Sequence, residues 1–186
     1  ERIGGTDTDS NLTTTRSVAD AAALPIAYRS GIVSSGAQLA KLPIIDLRGF
    51  DESQLSGGGV GIHYIWRSFA ERDRLDQDGG GHANQVMWRF GTGLTAPAPL
   101  ALQSFLAMDT WLSGLATSAP KATLNSERTS AQVVAAKPAT AFDFCYLSSD
   151  PGFTNKVTVQ ATCDADPKLA IHASPRQIAG GARTEN

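Results

Sequence analysis

A chain of 186 residues, 41 % hydrophobic and 18 % charged, has the make-up of a globular protein and the length of one ordinary domain. Its formal net charge of −2, with no cluster of Lys and Arg, speaks against a nucleic-acid surface. No apolar run approaches the roughly 20 residues that a bilayer-spanning helix needs, so no membrane association is expected.

In chain order, residues 1–15 are rich in Gly, Thr and Asp without periodicity and read as loop. Asp7, Asp9, Ser10 and Asn11 lack the spacing and the glycine of a calcium-binding loop, so they read as a solvated turn. Thr14 to Ala23 predicts a short alanine-rich helix stopped by Pro25. Tyr28 to Gly36 reads as a connection. Leu42 to Leu47 (Leu-Pro-Ile-Ile-Asp-Leu) is a nearly continuous apolar run with β-branched residues, which predicts a strand buried on both faces of a parallel sheet. Gly49 breaks the run, and Asp51 and Glu52 follow at once. In open α/β sheets chemistry gathers beyond the carboxyl ends of the strands, so both acids stand where a catalytic carboxylate belongs. The plainer reading is a solvated acidic turn.

Ser56-Gly57-Gly58-Gly59 has no following Lys-Ser/Thr and is not a phosphate-binding loop. Ile62, Ile65, Trp66 and Phe69 fall at helical spacing and predict a helix over 62–75. Aspartates and glycines over 76–81 end it, and Gln85 to Phe90 reads as a second strand. Leu94 to Pro99 is a proline-punctuated turn. Leu102, Phe105, Leu106, Leu112 and Leu115, with Met108 and Trp111, predict an amphipathic helix over 100–115 whose apolar stripe faces the core. Strand, helix, strand, helix over residues 1–115 predicts a parallel α/β unit.

From Ala116 the composition shifts to Ser, Thr, Ala and Lys. With one helix near Ser130 to Ala136 and one strand at Lys156 to Ala161, residues 116–186 read as a loop-rich arm of the same domain, wrapped on its outside. Cys145 and Cys163 have no CxxC spacing and only His172 nearby, so a disulfide formed in an oxidising compartment is expected, not a zinc site. No metal or other cofactor is expected.

Topology separates the three histidines. Asp51, Glu52 and His63 all lie between the first strand and its helix, on the edge where the strands end. His82 precedes the second strand and lies on the opposite edge. His63 at a helix N-terminus near a carboxylate can serve as a general base, and it can equally be a partly buried structural histidine. For His82 the structural reading weighs more, though it stays a candidate base, and His172 reads as structural. The nucleophile is missing: no G-x-S-x-G occurs, and both cysteines read as structural. Acid, then histidine, with the serine absent is the order of the C-terminal part of an α/β hydrolase.

Several stretches resemble the C-terminal part of a bacterial, mostly secreted family of uncharacterised α/β-hydrolase-like proteins, distantly similar to tannases and feruloyl esterases. They are Ala27-Tyr28-Arg29-Ser30-Gly31, Leu42-Pro43-Ile44-Ile45-Asp46, Ile62-His63 with Arg67-Ser68-Phe69 and Arg72-Asp73-Arg74-Leu75, and Asn84-Gln85-Val86-Met87-Trp88. Lys137-Pro138 with Asp143 and Cys145, then Pro175-Arg176 with Ala179-Gly180, continue the pattern. The resemblance implies the C-terminal part of an α/β-hydrolase-like, mostly parallel sheet that carries the acid and base of a secreted or periplasmic serine hydrolase. It implies an ester or amide substrate, small or polymeric, and a serine on the remaining N-terminal segment or on a second chain. Asp51 or Glu52 would be the acid. In ordinary α/β hydrolases the histidine follows the last strand, and residues 91–95 contain none. The base is then His63 or His82, or the activity has been lost.

The start at Glu1 in place of Met is read as the mark of a processed piece of a longer precursor. The competing class is a non-catalytic binding or structural module for carbohydrate or cell-wall polymer. Such a module would expose a planar row of Trp and Tyr, whereas Trp66, Trp88 and Trp111 all fall at positions that read as core.

Overall fold

A computed structural model of the chain describes residues 22–31, 34–49, 65–91, 96–118 and 128–169. They fall into two units that divide between Ser35 and Gly36. The first contributes one helix, α1 (Ala23–Arg29). It runs through Pro25, so this proline does not stop a helix as expected. Proline is tolerated in a first turn because the N–H it lacks would have no helical acceptor there.

The second unit is an α/β sandwich with element order α2 (Gly36–Leu39), β1 (Ile44–Gly49), α3 (Ile65–Asp78), β2 (Gln85–Phe90), α4 (Ala98–Ser118), α5 (Ser130–Ala135), β3 (Phe144–Tyr146) and α6 (Gln160–Ala165). The three strands form one parallel sheet in the order β1-β2-β3, with Ile44 opposite Gln85 and Trp88 opposite Phe144. The α/β class holds, and the strands differ from expectation in detail. The apolar run is an edge strand, and its side chains are only half-buried up to Gly49, whereas every residue of central β2 is buried. The 156–161 segment is not a strand: Val157 makes a single antiparallel bridge to Cys145, and α6 begins at Gln160. Phe144–Tyr146, read as part of an outer arm, is the third strand of the sheet.

Alternation along the strands sorts the two faces. Val86, Trp88 and Phe90 of β2, with Phe144 and Tyr146 of β3, join Leu100, Trp111 and Leu115 of α4 and Val133 of α5 in the main core. The polar ends of the two buried indoles are satisfied, since Trp88 Nε1 donates to Phe142 O at 2.9 Å and Trp111 Nε1 to Val133 O at 2.7 Å. The opposite face carries Gln85 and Arg89 under α3, and Cys145 with Cys163 and Leu169. The buried stripe of α4 is Leu100, Ala107, Trp111 and Leu115. Leu102, Phe105, Leu106 and Leu112, assigned to the core from spacing, are exposed, Phe105 at 67 %. The helix is apolar around most of its circumference, so periodicity could not tell which stripe meets the sheet. A Thr129/Gln132 capping box starts α5.

Cys145 and Cys163 form the expected disulfide, which ties β3 to α6. It closes a loop with a sequence separation of 18, and in the chain-entropy model that constraint is worth about 3 kcal/mol. Thiol titration of the unfolded, unreduced chain should find no free thiol, and reduction should lower the urea midpoint accordingly. An unchanged midpoint after complete reduction would show that the crosslink does not stabilise the fold.

Candidate functional site

Because the strands are parallel, their carboxyl ends share one edge, at Gly49, Phe90 and Tyr146. Asp51 and Glu52 are the second and third residues beyond β1. Both acids, with His63 and His172, lie outside the described residues. What surrounds that edge at β2 and β3 is close-packed. Gly91 N–H donates to Tyr146 O at 3.2 Å, and a Cβ on Gly91 would stand 2.7 Å from Ser148 Cα. Only glycine lets the two chains pass this closely.

Two aspartates fasten the loops leaving β3. Asp150 accepts from the Asn155 N–H at 2.7 Å and from the Thr154 N–H and hydroxyl. These bonds, the Asn155 one foremost, hold its carboxyl below the usual range. Phe153, inside the same loop, adopts φ 55°, which a bulky residue seldom does. Its ring stands 5.2 Å from that of Tyr146 and 6.2 Å from that of Phe90. Burial, helped by the charge of Asp150, raises the Tyr146 phenol.

Asp166 takes the Ser148 N–H at 2.7 Å and the Lys168 N–H at 2.9 Å. Burial pushes its carboxyl up, but the hydrogen bonds from Ser148 and Lys168 and the lysine charge outweigh it, and the net shift is downward. A carboxyl lowered in the folded state adds stability that is complete above its unfolded value, about 3.9, and is lost as pH falls through the folded value. Asp166→Asn should therefore destabilise the chain at pH 6 and cost progressively less toward pH 3. A destabilisation that stays constant with pH would contradict this.

On the opposite edge, in the turn entering β2, His82 Nδ1 lies 2.7 Å from Asp76 Oδ1, with both side chains nearly half exposed. The positive φ of Gly80 and Gly81 turns the chain there. An imidazole held by a carboxylate through Nδ1 has Nε2 left for proton transfer. Among the described residues, Asp76 is the hydrogen-bond partner the imidazole has.

A network that sequence reasoning did not assemble fills the face under α3. Arg72 donates from Nη1 to Asp143 Oδ2 at 2.7 Å and from Nε to Gln85 Oε1 at 3.1 Å. Asp143 Oδ1 accepts the Met87 N–H at 2.9 Å, continuing the β2 ladder just before β3 begins. Arg89, 1 % exposed, donates to Asp164 Oδ1 at 2.7 Å and Leu169 O at 2.8 Å, and its guanidinium lies 5.4 Å from the Phe69 ring centroid. Asn84 donates to Leu39 O and Leu42 O, fixing the entry to β1. Each buried arginine in this network meets a carboxylate that reaches the surface, which marks the network as support for the sheet.

No group of His, Cys, Asp or Glu among the described residues could hold a metal ion. No described helix is long and apolar enough to cross a membrane. Trp88 and Trp111 are fully buried and Trp66 is partly so, and the described residues contain no exposed tryptophan row.

Compared with known families, residues 1–186 match the model of a tannase-like family of unknown function. No curated protein and no solved structure matches the chain.

Proposed function

The chain belongs to this tannase-like family, and from that premise we propose that it is the acid/base-bearing part of a secreted serine hydrolase acting on carboxylic esters or amides. What supports the reading is the β1-α3-β2 parallel unit: β1 ends at Gly49, and Asp51 and Glu52 come two and three residues later in the sequence, the position at which such sheets place their chemistry. Asp51 or Glu52 orients the base and stabilises its cation. His63 takes the proton of a serine hydroxyl as that oxygen attacks the substrate carbonyl, then returns it to the leaving group. The serine and the donors that stabilise the oxyanion lie on the remaining N-terminal segment of the protein or on a second chain, since this chain contains no nucleophile elbow. The disulfide supports an oxidising, extracytoplasmic setting.

A second assignment of the base has its own observation, the His82–Asp76 pair at 2.7 Å. It sits where the strands begin, whereas Asp51 and Glu52 come after the end of β1 in the sequence, so His63 is preferred. The competing reading as a polymer-binding module loses its expected signature with Trp88 and Trp111 in the core. Turnover of an activated aryl ester by the full-length protein, abolished by a fluorophosphonate, tests the proposal. A folded full-length protein without such turnover would remove it.

A further inference from the structure

The segment that follows the Val157 bridge is held to the fold at few points. Of residues 158–169 only Cys163 and Leu169 are buried. With Cys145 they make the small second core, and the main core around Trp88 and Trp111 takes no side chain from this segment. Its helix α6 has 6 residues and no side-chain cap at Val159, well short of the roughly 12–15 residues at which an isolated helix holds in water. Helix propensity alone does not keep it in place.

The remaining ties depend on where the disulfide puts the segment. Asp164, next to Cys163, accepts from Arg89 Nη1, and Leu169 O accepts from the same nitrogen. Asp166 takes the Ser148 N–H beyond β3. Among the described residues no group accepts from Arg89 Nη2, so the terminal nitrogens of this buried guanidinium bond only to the segment. The crosslink keeps these partners at a high effective concentration. Without it, the same contacts must offset the ordering of the whole stretch from Val157 to Leu169. The geometry also shields the bond once made. Cys145 and Cys163 are 0 % and 2 % exposed, so a thiol reagent reaches the sulfurs only when the segment has left.

We infer that the Cys145–Cys163 pair is a latch set by oxidation. In the reduced chain the three-stranded sheet and its main core stand while residues 158–169 are detached. Oxidation seats the segment and closes off the sulfurs. One cysteine thiolate attacks a small disulfide such as oxidised glutathione, giving a mixed disulfide and one released thiol. The other cysteine then displaces the second thiol, so both electrons and both protons pass from the cysteines to the oxidant. The seated segment reaches the carboxyl edge of the sheet, where Ser148 packs against Gly91, so the loop after β3 is fixed only once the latch has closed. The latch works in the same way whether or not the protein is a hydrolase.

Residue-resolved hydrogen exchange on the oxidised protein and on protein refolded in a phosphine reductant tests this. The Cys163, Asp166 and Leu169 amides bond within the segment, and the Ser148 amide bonds to Asp166. On reduction these four should exchange at least about 100-fold faster, while Val86 and Trp88 in β2 stay slow. The Cys145→Ser/Cys163→Ser variant should show the reduced pattern without any reductant. Oxidised glutathione added to the reduced protein should restore the slow amides as the thiols disappear. Segment amides that stay slow in the reduced protein would overturn the latch, because the segment would then hold without the crosslink. Loss of protection in β2 as well would also overturn it, since the disulfide would then be a staple for the whole fold.

Discussion

His63→Ala in the full-length protein should lower kcat for an activated ester by a factor on the order of a thousand or more, the loss typical of removing a base that works as one unit with its acid and nucleophile. Adding Asp51→Ala to it should change little further, whereas two independent structural roles would simply add. Glu52→Ala run in parallel decides which of the adjacent carboxylates is the acid. His82→Ala should cost little activity, because its partner Asp76 lies at the amino ends of the strands. Melting temperatures come first, since an unfolded variant is also inactive. Full activity in a folded His63→Ala variant would exclude that residue. A large loss in His82→Ala with an unchanged melt would make the His82–Asp76 pair the acid and base.

The largest stability effect is expected at Asp143, which no role in the chemistry requires. Its carboxylate holds both Arg72 terminal nitrogens and the Met87 N–H, joining α3, β2 and the start of β3. Removing it leaves the buried Arg72 guanidinium with Gln85 alone. Uncompensated buried charges of this kind cost about 3 kcal/mol or more, so Asp143→Ala should lower the urea midpoint by a large part of a typical domain's stability. Asp150→Ala, which empties an exposed turn, should cost far less. Equal losses at the two positions would mean that the Arg72–Asp143 pair is not holding the sheet together.

Some of this was legible in the residues. Gln85 to Phe90 carries a strand-forming run between turn signals, and the strand has those bounds. Two cysteines without a metal-ligand pattern sufficed for the disulfide. Phe144–Tyr146 is three residues long, too short for a period to show. Its place in the sheet comes from partners far away in sequence, such as Phe144 opposite Trp88. The same holds for Arg72 and Asp143, 71 positions apart. Both stand in the stretches that carry the family resemblance, but resemblance does not say which residues touch. For α4, an apolar circumference hid the choice of face until the sheet fixed it with Trp111. For the candidate site, His82 stands in the turn entering β2, whereas Asp51 and Glu52 follow β1 in the sequence and lie outside the described residues. The order of strands and loops decides that much, while a histidine's role depends on neighbours that spacing does not reveal.

Covalent labelling of the full-length protein with a fluorophosphonate, followed by peptide mapping, tests the central claim most directly. The label should sit on one serine outside residues 1–186, and the His63→Ala variant should label far more slowly. A labelled serine within residues 1–186, or no labelling of an ester-hydrolysing protein, would contradict the account.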